Sequence, residues 1–118
     1  RGIKLAVVVE ADQAFEAPPR ARGLAAVDAV ADVVRTANRA DPDWDLVNLG
    51  RCWDHCEFDE TVGTILTATG ARTGRLVRSL SPLCTHAYVV TLAGAKRLLT
   101  YSLPHVTSID CLMATLSR

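Results

Sequence analysis

Two carboxylates, Glu10 and Asp12, stand two residues apart directly after the apolar run Val7-Val8-Val9. On an extended backbone, residues i and i+2 project to the same side. Two hard oxygen donors placed this way suit Mg²⁺ or Mn²⁺ and leave positions open for a diphosphate. The plainer reading is a pair of solvated acids in a turn, and spacing alone favours it. A third carboxylate, Asp110, falls in the first turn of a predicted helix near the C-terminus. His86 suits a metal or base role, although a hydrogen-bonded structural histidine is the better reading of a lone His on a strand. Tyr88 reads as a packed ring with a bonded hydroxyl. Arg75 and Arg78 fit a phosphate or an exposed strand face equally well. Trp53, close to His55 and Glu57, suits sugar stacking, with packing favoured, and Trp44 reads as a core or sheet-edge aromatic.

The four cysteines are Cys52, Cys56, Cys84 and Cys111. Four cysteines allow three complete pairings, and sequence does not choose among them. Cys52 and Cys56 with His55 between them invite a zinc reading. The Cys-x-x-His-Cys spacing is not a usual structural-zinc pattern, however, and no second pair follows at ligand spacing. A disulfide or buried thiols are the better reading. Cys84 with either Cys52 or Cys56 is the pairing to expect first, because both regions adjoin predicted strands and a bridge would pin a loop to the sheet.

The elements that must carry these groups follow from hydrophobic period. Residues 3–9 are short, apolar and β-branched, which predicts a buried, parallel strand. Pro18 and Pro19 break the chain. From Arg22 to Arg39, Leu24, Val27, Ala31 and Val34 recur at helical spacing. Asp28, Asp32 and Arg35 take the opposite face, with Asp32 and Arg35 as an i,i+3 ion pair. Asp41-Pro42-Asp43 ends this helix. Residues 44–49 predict a second strand closed by Gly50. Residues 51–74 show no strong period and read as a long loop. Strands are expected over 75–80 and 84–90. Thr91 is placed as the N-cap of a helix from Leu92 to Tyr101, with Leu92, Leu98 and Leu99 inward. Gly94 inside that helix predicts close packing. Pro104 ends the unit, and Ser108 caps a last helix, Ile109 to Leu116. This order is an α/β pattern, and ligands of open α/β sheets bind beyond the carboxyl ends of strands.

Composition bounds the function. The 118 residues fit one domain or part of one. Thirteen Lys+Arg balance thirteen Asp+Glu, so charge gives no case for nucleic acid or an anionic membrane as partner. Hydrophobic residues at 49% against 22% charged exclude a disordered chain. The longest uncharged apolar run, Leu5 to Val9, is too short to span a bilayer, so direct membrane insertion is not expected. No signal-peptide pattern is visible. The chain opens at Arg1 and reads as a piece of something longer, so a missing signal says nothing about the parent.

Four blocks together resemble glycosyltransferase family 25, which includes lipopolysaccharide galactosyltransferases and collagen β-galactosyltransferases. Val7-Val8-Val9-Glu10-Ala11-Asp12-Gln13-Ala14-Phe15 is similar to the family's strand followed by Glu-Asp-Asp and Phe. Trp44-Asp45-Leu46-Val47-Asn48-Leu49-Gly50 is similar to its Trp-Asp strand. Cys84-Thr85-His86-Ala87-Tyr88-Val89-Val90-Thr91, then Gly94-Ala95 and Leu98-Leu99, resembles its Thr-His-Ala-Tyr block and is the most specific of the four. Ile109-Asp110 corresponds to an apolar residue and Asp before the final helix.

The resemblance implies an α/β, GT-A-like (Rossmann-related) mixed sheet flanked by helices, of which residues 1–118 are the C-terminal part. It implies inverting transfer of a hexose, galactose from UDP-galactose, to a glycan or hydroxylated protein, with Mn²⁺ or Mg²⁺. Glu10 and Asp12 then match the outer acids of the metal-binding motif, and Asp110 matches a later functional acid that acts as base or positions substrate. Physically, the cation neutralises the leaving diphosphate while a carboxylate takes the acceptor's proton. Ala11 stands where the family has its middle acid, and Cys111 follows Asp110 where an acid is common. The expected location is the ER/Golgi lumen in a eukaryote, or the cytoplasm or membrane periphery in a bacterium. The alternative is a non-catalytic glycosyltransferase-like binding or structural domain. A flavodoxin-like regulatory domain would need more parallel βα units than are present.

Overall fold

The structure, a computed structural model, describes residues 2–12, 24–52, 56–80, 82–104 and 107–116. The elements run β1 (Leu5–Val9), α1 (Leu24–Ala40), β2 (Leu46–Asn48), β3 (Glu60–Leu66), β4 (Arg72–Arg78), β5 (Ala87–Thr91), α2 (Leu92–Ser102) and α3 (Ile109–Leu116). Pro18, Pro19, the motif residues Gln13 to Phe15, and Trp53 and His55 lie outside the described residues, as does the expected start of α1 at Arg22.

The architecture is α/β, with a three-stranded sheet in the order β1-β5-β2 and a separate β3–β4 hairpin. Both sheets are antiparallel throughout, which corrects the expectation of a mixed sheet and of a parallel first strand. β1 pairs with β5, Leu5 opposite Thr91 and Val9 opposite Ala87. An apolar β-branched run suits a strand of either sense, so composition could not set its direction. Nor is β1 buried: it is an edge strand, with Val7 46% exposed. The central β5 supplies most of the buried sheet residues, Ala87, Val89 and Val90, and Met113 and Ala114 of α3 join the core.

The expected loop over residues 51–74 is half strand. Thr61, Val62, Thr64 and Ile65 are strand formers, but the register shifts between Thr61 and Gly63, so the bulge breaks the period-2 signal. Thr67 closes the turn by accepting from Ala71 N at its hydroxyl, and Gly70 takes φ 85° there. The hairpin packs on α1. A Cβ at Gly63 would lie 2.8 Å from Thr36 Cγ2, so glycine sets this approach.

That contact also corrects the expected face of α1. Asp32 is 6% exposed and Thr36 and Ala37 are buried, whereas Val27 is 67% exposed. The expected Asp32–Arg35 ion pair is present. Asp32 is buried because its neighbour Arg35 satisfies it at the helix edge, which a hydrophobic period cannot signal. On α2, Leu92 and Leu99 are exposed rather than inward, and Leu98 is half-buried.

The start of α2 is as the sequence predicts. Thr91 Oγ1 accepts from Gly94 N at 3.0 Å, an N-cap bond. Thr91 N donates to Asp45 O at 3.0 Å, which ties the helix start to the chain entering β2. A Cβ at Gly94 would collide with the Asp45 carbonyl, 2.8 Å from its carbon. Gly94→Ala is therefore expected to cost about 1–3 kcal/mol, read as a lower urea midpoint with the m-value unchanged. An unshifted midpoint would mean that this junction yields freely.

Candidate active site

The antiparallel pairing of β1 with β5 determines what meets at the end of the sheet. Val9 faces Ala87, so the next residues, Glu10 and His86, come opposite each other, and Glu10 N donates to His86 O at 3.0 Å. The side chains follow the backbone. Thr85 Oγ1 donates to Glu10 Oε1 at 2.7 Å, and His86 Nδ1 lies 3.1 Å from Glu10 Oε2. An ionised carboxylate only accepts, so His86 donates from Nδ1. These contacts join residues 75 and 76 positions apart in the chain.

The hydrogen bonds from His86 and then Thr85 hold the Glu10 carboxyl below the ordinary glutamate value. Partial desolvation and the charge of Asp110 work the other way. The Glu10 contribution to stability is thus complete above the ordinary value and lost as pH falls through the lowered one. Asp110 is also held below the usual aspartate value, first by the Ser108 hydroxyl and then by Cys111 N, which donates to Oδ1 at 2.9 Å. Its place in the first turn of α3 suits a negative charge. The charge of Asp110, at the start of α3, is felt at Glu10. Asp12 lies in the exposed turn following β1.

The oxygen donors fit a hard divalent cation in kind. Each Glu10 oxygen has one lone-pair direction taken, by Thr85 or His86, and keeps another. Among the described residues, the group of three ligating side chains with all donor atoms within 4.8 Å is Cys52, Cys84 and His86, not the three carboxylates. A cation at Glu10 and Asp12 would accordingly draw on few protein oxygens. That matches Mg²⁺-type sites, which use one or two carboxylates together with substrate phosphates.

No family model matches the chain, and neither a curated protein nor a solved structure matches it.

His86 is hydrogen-bonded, as the sequence leads one to expect of a lone strand histidine, and its partner is Glu10. Its partnership with Glu10 follows from the antiparallel register and would have been legible had the β1–β5 pairing been assumed. Tyr88 is half-buried, and desolvation raises its hydroxyl above the ordinary tyrosine value. Trp44 donates from Nε1 to Asn38 Oδ1 at 2.7 Å, on the far side from Glu10 in sequence and fold. Arg75 and Arg78 contact Thr61 and Glu60 on the hairpin. They border an open groove of about 1410 Å³ between the hairpin, α1 and the sheet. Glu10, Asp12 and Asp110 do not line that groove, so it is a separate feature from those carboxylates.

The cysteine expectation is met in one of its two forms. Cys52 and Cys84 form a disulfide with Cα atoms 5.7 Å apart, and Cys56 and Cys111 are free and exposed. Arg51 clamps Asp59 through two bonds of 2.9 and 2.7 Å, anchoring the chain beside Cys52.

Proposed function

We propose that the chain belongs to a hexosyltransferase of the family-25 type, GT-A-like in its whole fold, which moves galactose from UDP-galactose to a hydroxyl of a glycan or a hydroxylated protein. One observation carries this reading. Two of the four blocks that resemble the family meet directly, Glu10 of the first bonded to Thr85 and His86 of the third, and the charge of Asp110 of the last is felt at Glu10. A lone solvated acid in a turn would have no reason to be held by two side chains so distant in sequence.

In this reaction Glu10 and Asp12 would hold Mn²⁺ or Mg²⁺, which supplies positive charge opposite the leaving diphosphate. Asp110, ionised at neutral pH, accepts a hydrogen bond from the acceptor hydroxyl and takes its proton or orients it. The hydroxyl oxygen forms its bond to the anomeric carbon on the face opposite the departing nucleotide, which inverts the configuration. Thr85 and His86 fix the Glu10 carboxylate so that little reorganisation is needed. The disulfide suits an oxidising compartment such as the secretory lumen. Among the described residues, no helix is long and apolar enough to cross a membrane.

Asp110→Asn tests this assignment. The amide keeps an oxygen for Cys111 N but removes the charge and the proton acceptor. Turnover by the full-length protein is expected to fall about 10²-fold with unfolding unchanged, and full activity would remove Asp110 from the reaction. Ala11 favours a second reading, a non-catalytic domain of the same type, because it leaves the motif one carboxylate short.

A further inference from the structure

A second set of donors, joined to Glu10 through His86, differs from the carboxylates in chemistry. Cys52 Sγ, Cys84 Sγ and a ring nitrogen of His86 are all within 4.8 Å of one another. Ligand atoms around a tetrahedral zinc, at Zn–S of about 2.3 Å and Zn–N of about 2.0 Å, are separated by roughly 3.3–3.8 Å. Two sulfurs and an imidazole are soft to borderline donors, suited to Zn²⁺ and poorly suited to Mg²⁺ or Mn²⁺. In the structure the sulfurs are bonded to each other.

We infer that reduction of the Cys52–Cys84 disulfide creates a zinc site made of Cys52, Cys84 and His86, with Glu10 orienting the imidazole. The site shares Glu10 and His86 with the sugar-transfer reading, but its donor set and its test do not depend on that reading.

Backbone and side-chain bonds besides the S–S bond also hold the segments around the site. Cys52 N donates to Leu83 O across an isolated antiparallel bridge, which brings the two cysteine segments together. Leu49 N donates to Ala87 O at 2.8 Å and ties the end of β2 to β5 just after His86. The Arg51–Asp59 pair secures the other flank of Cys52. Cys84 takes φ 71°, a left-handed conformation that costs a non-glycine residue energy and is enriched where function demands it. His86 already has its Nδ1 on Glu10 Oε2, leaving Nε2 for a metal. A carboxylate on the far nitrogen is the usual orienting partner of a zinc-bound histidine. All three ligands are half-buried rather than sealed, so an ion can enter. Three protein ligands leave a fourth position for water or a small molecule.

The chemistry balances as follows. A dithiol reductant supplies two electrons and two protons, becomes a cyclic disulfide, and leaves two protein thiols. Zn²⁺ then binds both sulfurs as thiolates and releases their two protons to solvent.

Co²⁺ reports on this site, because thiolate coordination gives a charge-transfer absorption and a tetrahedral site gives intense d–d bands. The chain is reduced with a phosphine, which with one water converts the disulfide to two thiols and is itself oxidised to phosphine oxide, the water supplying the oxygen and both protons. Reduced protein is expected to bind one equivalent of Co²⁺ with both signatures, displaced by one equivalent of Zn²⁺. Oxidised protein should show neither. His86→Ala and Glu10→Gln should each weaken Zn²⁺ binding about tenfold or more. Cys56→Ser should leave it unchanged. No thiolate band in reduced protein would overturn the site, as would full affinity in Cys84→Ser or in His86→Ala. Circular dichroism covers the case of unfolding on reduction: the inference requires Zn²⁺ to restore the fold, and a chain left unfolded with Zn²⁺ present contradicts it.

Discussion

Asp12→Ala is expected to abolish metal-dependent turnover of nucleotide sugar by the full-length protein, a fall of at least a hundredfold or about 2.7 kcal/mol in the barrier. Little else can replace this carboxylate. Ala11 supplies no oxygen at the middle position of the motif. Glu10 has both oxygens committed, one to Thr85 and one to His86, so it cannot swing to cover a lost ligand without breaking those bonds. Asp110 belongs to a different element and is held by Ser108 and Cys111. Removing Asp12 thus leaves a cation with a single tethered carboxylate from the β1 end. Steady-state rates across a Mn²⁺ titration check this. Rates equal to wild type at every Mn²⁺ concentration would move the metal elsewhere.

Loss of the Cys52–Cys84 disulfide in the double variant Cys52→Ser/Cys84→Ser is expected to cost about 3–4 kcal/mol in the absence of zinc. The bridge closes a loop with a sequence separation of 32, and chain-entropy loss for loops of that size is of this order. The loop contains the whole β3–β4 hairpin. Without the cross-link, the hairpin is held to the sheet through α1 and the weak Cys52–Leu83 bridge. Because domains of this kind are stable by only about 5–15 kcal/mol, the loss is a large share of the total. Urea unfolding of oxidised and variant protein measures it directly, and a difference under about 1 kcal/mol would show that the hairpin is pinned mainly by packing.

Much of the scaffold was legible in the sequence where a single period or a single cap determines the element. The apolar run at 5–9 formed β1, and the Thr91–Gly94 pair opened α2 as expected. Gly94 was read as a close-packing position and lies against the Asp45 backbone. Reading failed where a local pattern is ambiguous or interrupted. The bulge at Gly63 hid β3, although β-branched residues on either side of a turn containing Gly70 are a hairpin signal. Strand direction was not legible, because pairing is decided by contacts between β1 and β5 that lie about 80 residues apart in the chain. The same gap concealed the Glu10–His86 partnership. His86, taken alone, is a strand histidine, and only the register makes it the orienting partner of an acid. Asp32 misled for a related reason: a helical wheel assigns charge to solvent, whereas Arg35 one turn away allows Asp32 to be buried.

The central claim is that side-chain oxygens at the end of β1 hold a divalent cation that in turn recruits a nucleoside diphosphate. Isothermal titration of UDP into the full-length protein, with Mn²⁺ and then with a chelator, tests it most directly. The prediction is saturable binding with Mn²⁺ that vanishes with the chelator and in Asp12→Ala. Binding of equal strength with and without Mn²⁺, or none in either condition, would contradict it.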